Sequence, residues 1–140
     1  MSLVVADVRQ AIADAITAGI TDIQVNPYML SAPVPPAIDI YPDETEYDLA
    51  NARGLDKWRF IVRAVVGHTA DLGSQANLDL MLAPAGARSI KQLVEVDRTL
   101  GGLVEDSVVL SCTGYRVYLP HSVSPLLGCE WTVELYAVGT

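Results

Sequence analysis

The stretch Asp56-Lys57-Trp58-Arg59-Phe60-Ile61-Val62-Arg63-Ala64-Val65-Val66 alternates with a period of two. Trp58, Phe60, Val62, Ala64 and Val66 fall on one side, and Lys57, Arg59, Ile61, Arg63 and Val65 on the other. Side chains of a strand point alternately to its two faces, so the stretch predicts a strand with one buried face. The C-terminal region repeats the pattern. Cys129, Trp131, Val133, Leu135 and Ala137 share one face, and Glu130, Thr132, Glu134 and Tyr136 the other. Arg59 and Arg63 on one strand and Glu130 and Glu134 on the other are natural cross-strand partners, each pair worth roughly 0.2–1 kcal/mol.

Around these two strands the remaining elements fall into order. Val4, Val8, Ile12 and Ile16 recur every four residues and predict a first helix over Leu3–Ala18, with Ser2 as its N-cap and Gly19 as a left-handed terminator. A short strand is expected at Ile23–Val25. Prolines 27, 33, 35 and 36 then impose an extended loop, because proline cannot donate to a sheet ladder. Ala37–Tyr41 reads as a strand with Ile38 and Ile40 inward. The acidic run Asp39–Asp48 reads as opening into a long hairpin loop or arm reaching Gly54. A second helix is expected over Ala70–Leu82, stopped by Pro84 and Gly86. Ser89 and Gln92 match a capping box that starts a short third helix ending near Val96. Gly101-Gly102 marks a turn. Ser107–Leu119 and Leu127–Val138 form a hairpin. The order predicts an α+β fold over residues 1–140 as a single domain: a mostly antiparallel sheet of four to five strands with two to three helices packed on one face.

Composition narrows the function classes. The 140 residues carry 9 basic and 17 acidic side chains, a net charge of −8. That argues against a free-standing nucleic-acid binder, which needs cations to displace phosphate counterions, and against a polybasic membrane-surface protein. Charged residues make up 19%, against about 25% in an average chain, and mean hydropathy is +0.30. No apolar run approaches the roughly 18 residues of a membrane span. The apolar excess therefore points to a subunit that buries further surface against copies or partners. The N-terminal segment has acidic residues where a signal peptide carries basic ones, so cytoplasmic synthesis is expected.

No constellation of residues supports catalysis or a cofactor. Asp43-Glu44-Thr45-Glu46-Tyr47-Asp48 lacks the glycine and glutamate spacing of a calcium loop. His68 and His121 have no zinc-type spacing, and Cys112 and Cys129 form no C-x-x-C pair. Both cysteines fall inside expected strands, where inert buried thiols are the rule; a small cysteine-dependent enzyme is the distant alternative. No phosphate-binding glycine motif is present. Trp58 and Trp131 fall on the apolar faces of their strands and read as core.

Several segments in order resemble the tail terminator, or tail completion, proteins of long non-contractile-tailed bacteriophages. They are Pro36–Pro42, Glu46-Tyr47-Asp48, Arg53–Trp58, Leu78–Leu82, Asp97–Gly102, Gly114–Tyr118 and Leu127–Trp131. Each is a turn or a strand, and their order and spacing carry the resemblance, over about Asp22 to Val138. It implies a structural virion protein, not an enzyme, that closes as a homohexameric ring on the tail tube and stops its polymerisation. The ring would join the tail to the head through the connector or stopper protein. The implied location is the tail or neck, reached through the host cytoplasm during assembly. DNA would pass through the ring without sequence recognition. No catalytic, metal or cofactor residues come with the resemblance. Another neck ring component, such as a head completion or stopper protein, and a tube-like subunit are the neighbouring alternatives. A DNA conduit is expected to avoid a basic wall, so Asp43, Glu44, Glu46 and Asp48 are candidates for a channel lining or an inter-subunit acidic loop.

Overall fold

The computed structural model describes residues 3–29, 36–47, 54–68, 72–118 and 126–138. In chain order the elements are α1 (Val5–Thr17), β1 (Gln24–Asn26), β2 (Ala37–Glu46), β3 (Asp56–His68), α2 (Leu72–Leu82), α3 (Ile90–Val94), β4 (Asp106–Tyr118) and β5 (Leu126–Ala137). The strands form one five-stranded sheet in the order β1-β2-β3-β5-β4. β1 pairs parallel to β2, and every other neighbour is antiparallel. The fold is α+β, a mixed sheet with three helices.

All three helices cover one face. α1 lies over β1 and β2, α2 over β3 and β5, and α3 over β4. Phe60, Val62 and Ala64 of β3, Ile38 and Ile40 of β2, and Trp131, Val133 and Leu135 of β5 meet Val8, Ile12 and Ile16 of α1 in a continuous core. Phe60, Ile38, Ile40, Ile12 and Ile16 have no exposed surface. Burying one such side chain stabilises the fold by about 1.5–3 kcal/mol, so this layer is the dominant favourable contribution.

Both ends of α1 differ from expectation. The helix starts after Val4, which occupies the N-cap with no side-chain cap hydrogen bond; the expected cap, Ser2, lies outside the described residues. Val4 is exposed, and Ala13 joins Val8, Ile12 and Ile16 on the buried stripe. Gly19 does not terminate the helix in a left-handed conformation: it is not among the positive-φ glycines. A Cβ there would lie 2.3 Å from Leu93 Cδ2. Its absent side chain lets the end of α1 approach α3.

The capping box at α3 is half formed. Ser89 Oγ accepts from the Gln92 backbone N–H, but Gln92 Oε1 accepts from Gly86 N–H instead of returning to Ser89. The turn Asp97–Gly102 is built around one carboxylate. Asp97 accepts from the Thr99 hydroxyl, Gly101 N–H and Thr99 N–H, which hold its carboxyl below the usual range. Leu100, Gly101 and Gly102 all take positive φ there.

Candidate functional site

The helix-free face of the sheet carries the ionised groups. β3 runs through its middle with Lys57, Arg59 and Arg63. Acidic rows flank it on both sides: Asp39, Glu44 and Glu46 from β2, and Glu130 and Glu134 from β5. Register places Arg59 between Glu44 and Glu134, and Arg63 between Asp39 and Glu130. Arg59 Nη1 lies 3.4 Å from Glu44, and Arg59 Nε lies 3.4 Å from Glu134. Lys57 Nζ is 2.9 Å from Glu46 and 3.9 Å from Glu134. The expected pairing of Arg59 with Glu134 is present. Arg63 stands opposite Glu130 as expected, yet its bidentate partner is Asp39, with Nε at 3.0 Å from Oδ1 and Nη2 on Oδ2.

Asp39 is only 2% exposed and is met by both arms of one guanidinium, which makes this pair unlike the others; Glu134 is buried too but is shared between Arg59 and Lys57. A buried carboxylate is costly unless charge and hydrogen bonds compensate, and the guanidinium fork supplies both. The Arg63 guanidinium also sits 5.9 Å from the ring centroid of Tyr41. Burial, with Glu130 nearby, pushes the Tyr41 phenol up to about 12. Ile61 is buried on this side too, flanked by Tyr41 and Thr132 in register and by Arg59 and Arg63 along its strand. The stems of such long side chains cover apolar surface while their heads stay wet.

One expectation about the acidic run is corrected. Asp43, Glu44 and Glu46 do not open a loop or arm, because β2 continues through Glu46 paired to β3. The register slips once, between Pro42 and Glu44. Pro42 stands opposite Phe60, and Glu44 stands opposite Arg59, so Asp43 is the extra residue of a β-bulge. Without it, strict alternation would turn Glu44 and Glu46 toward Trp58 and the core. The bulge turns them to the basic row. Pro42 is tolerated because β1 pairs only with Ala37–Asp39, leaving it on an edge segment. Glu44 and Glu46 are thus held in ion pairs, and Lys57 draws the Glu46 carboxyl below its usual value. Asp43 is exposed and forms no ion pair among the described residues. Asp48 lies outside the described residues.

The remaining candidates are dispersed. His68 ends β3, and His121 lies outside the described residues. Among the described residues no group of three or more His, Cys, Asp and Glu side chains could hold a metal ion. None of their helices is long and apolar enough to cross a membrane. Trp131 is buried as expected. Trp58 is half-buried, with Tyr47 edge-on to it at 6.2 Å between ring centroids. Cys129 is fully buried and Cys112 half-buried. The Asp39–Arg63 pair was not legible in the sequence, since Asp39 looks like the first member of a solvated acidic run. The available signal was its place between Ile38 and Ile40, inside an alternating strand. No known family model matches the chain, and no curated protein matches it.

Proposed function

We propose that this protein is a structural ring subunit of the tail-terminator type, which caps a phage tail tube and provides the surface for head–tail joining. The observation that carries the reading is the ordered series of segments resembling that family. Where they fall among the described residues, they lie on or beside strands β2–β5, α2 and the Asp97–Gly102 turn, which are elements of architecture. Such a resemblance fits a protein whose business is shape and assembly. Exposed apolar side chains support a subunit that buries more surface: Leu72 and Leu80 on α2, and Val96 just beyond α3, are 76%, 57% and 78% exposed. The paired basic row supports it as well. Lys57, Arg59 and Arg63 are each engaged by carboxylates, so this face offers DNA phosphates little free positive charge. Of the acidic candidates, Asp43 is the described residue free to face a channel or a neighbouring subunit.

Electron microscopy of the purified chain, alone and mixed with tail tubes, tests the reading. Closed rings that cap tube ends are expected. A chain that stays monomeric and leaves tube ends bare sinks the proposal, and indefinite tubes would assign it to the tube-like class.

A further inference from the structure

The outer side of α1 departs from the pattern of a solvated helix face. Ala11, Ala15 and Ala18 recur along it. With Leu93 of α3, Val96 just beyond α3 and Leu100 of the following turn, they line a groove of about 440 Å³. Gly19 permits the close approach of the end of α1 to Leu93 that closes the groove below. At the rim Val96 is 78% exposed, and Ala18 is exposed as well. The volume lies within the range of small-molecule sites, roughly 300–1,000 Å³, but those sites bury most of their ligand. A trough whose rim side chains stand this far out suits a segment of chain lying across it.

The charge around the groove has one sign. Asp14 of α1 and Asp97 of the turn border it, and neither forms an ion pair among the described residues. Asp97 Oδ1 accepts from the Thr99 N–H and hydroxyl, and Oδ2 from the Gly101 N–H. An ionised carboxylate has about four acceptor sites, so one remains for a cation. Asp14 Oδ1 accepts from the Gln10 amide, and the rest of that carboxylate faces solvent. Asp7 is exposed two turns earlier along the same edge of α1. The last turn of α1 holds no basic residue, so the partial negative charge of that helix end is uncompensated beside Ala18. Arg98, next to Asp97 in the chain, is turned away to Asp106 and the Ser107 carbonyl.

We propose that this groove docks a segment of a partner protein in which a bulky apolar side chain stands beside lysine or arginine. The apolar side chain enters between the α1 alanines and Leu93, and the cations beside it meet Asp14 and Asp97. Apolar surface removed from water supplies the affinity, and the carboxylates fix orientation and reject acidic partners. A second copy of this chain is the wrong occupant by charge. It brings a further net charge of −8. Among the described residues Lys57, Arg59, Arg63, Arg88, Lys91 and Arg98 each already meet a carboxylate. Arg9 donates to the Pro27 and Ile40 carbonyls and lies 4.8 Å from the Tyr28 ring centroid. The proposal is independent of the ring reading, because a single chain carries the whole groove.

The test selects binders from a displayed library of short random peptides on the immobilised full chain. The enriched peptides should combine an aliphatic or aromatic residue with lysine or arginine. The tightest of them, synthesised with a fluorescent label, is then titrated by anisotropy. Val96→Glu puts a charge in the apolar trough and Asp14→Lys repels the incoming cation, so each should weaken binding by about tenfold or more. Both positions are exposed, and urea unfolding checks that the variants fold. Asp43→Lys makes the same change of charge on the β2 bulge and should leave the affinity within about twofold at physiological salt. No enrichment, enriched peptides without a basic residue, an affinity untouched by both groove variants, or an equal loss with Asp43→Lys would each overturn the proposal. Self-association of the wild-type chain that Val96→Glu abolishes would overturn it too, and would assign the groove to a second copy.

Discussion

The two faces of the sheet are built on opposite principles from the same strands. Under the helices, Phe60, Val62, Ile38, Ile40 and Leu135 are packed without exposed surface. On the open face, Lys57, Arg59 and Arg63 run between two rows of carboxylates. The covered face gains from area removed from water, which is non-directional and large. The open face gains from specific pairs, most of them solvated and individually weak. Asp39–Arg63 is the exception, because its buried carboxylate meets one guanidinium in a bidentate pair, whereas the buried Glu134 is shared between Arg59 and Lys57 at longer range. The difference teaches where sensitivity to mutation should lie: everywhere on the covered face, and chiefly at the Asp39–Arg63 pair on the open one.

Phe60→Ala tests the covered face most severely. It should lower stability by about 3–5 kcal/mol in urea unfolding, through lost transfer energy and the cavity left behind. A loss below about 1 kcal/mol would mean that the helix layer collapses onto the gap, and that the face is less rigidly packed than its burial implies. On the open face Asp39→Ala should cost about 3 kcal/mol, because it leaves Arg63 without its bidentate carboxylate in a half-buried site. Replacing both residues together, with Asp39→Val and Arg63→Met, should recover most of that loss. Failure to recover would show that the pair contributes net stability beyond its desolvation cost.

Smaller effects refine the contrast. Gly19→Ala should cost about 1 kcal/mol, since the new methyl displaces the Leu93 side chain, offset by reduced freedom of the unfolded chain. Adding Leu93→Val should relieve part of it. On the covered side, Glu95 accepts from Lys91 and from the Val109 N–H, tying α3 to β4. Burial would raise its pKa, but those two hydrogen bonds outweigh it and hold the carboxyl below its ordinary value of 4.5. Its contribution is therefore complete above that ordinary value and lost as pH falls through the lowered one. Glu95→Gln should cost about 1 kcal/mol at neutral pH, and the gap to wild type should close on acidification. A gap that widens in acid contradicts the assignment. Glu44→Gln, at an exposed pair, should change stability by less than about 0.5 kcal/mol, and the change should vanish in high salt.

Periodicity made β3 and β5 readable to within two residues, and with them the division of both strands into an apolar and a polar face. β3 keeps one alternation from Asp56 to Val65, before its register against β5 slips, and twelve-residue β5 keeps one throughout; each run is long enough to leave no other assignment. The cap at Ser89 was equally local and equally readable. β2 was not, because its alternation is broken by Pro42 and by the extra residue Asp43, and a bulge has no signature until its partner strand is known. Gly19 misled for a related reason. A glycine after a helix signals a turn in one dimension, whereas here it makes room for Leu93, a residue far along the chain.

By itself the sequence determined the α+β class, the apolar surfaces of α1, β3 and β5, and the acidic balance, since each depends on neighbours in the chain or on a simple count. The tertiary structure alone decided which carboxylate meets which cation, and that Glu44 and Glu46 turn outward. Those depend on register between strands, where one inserted residue reverses every side chain beyond it.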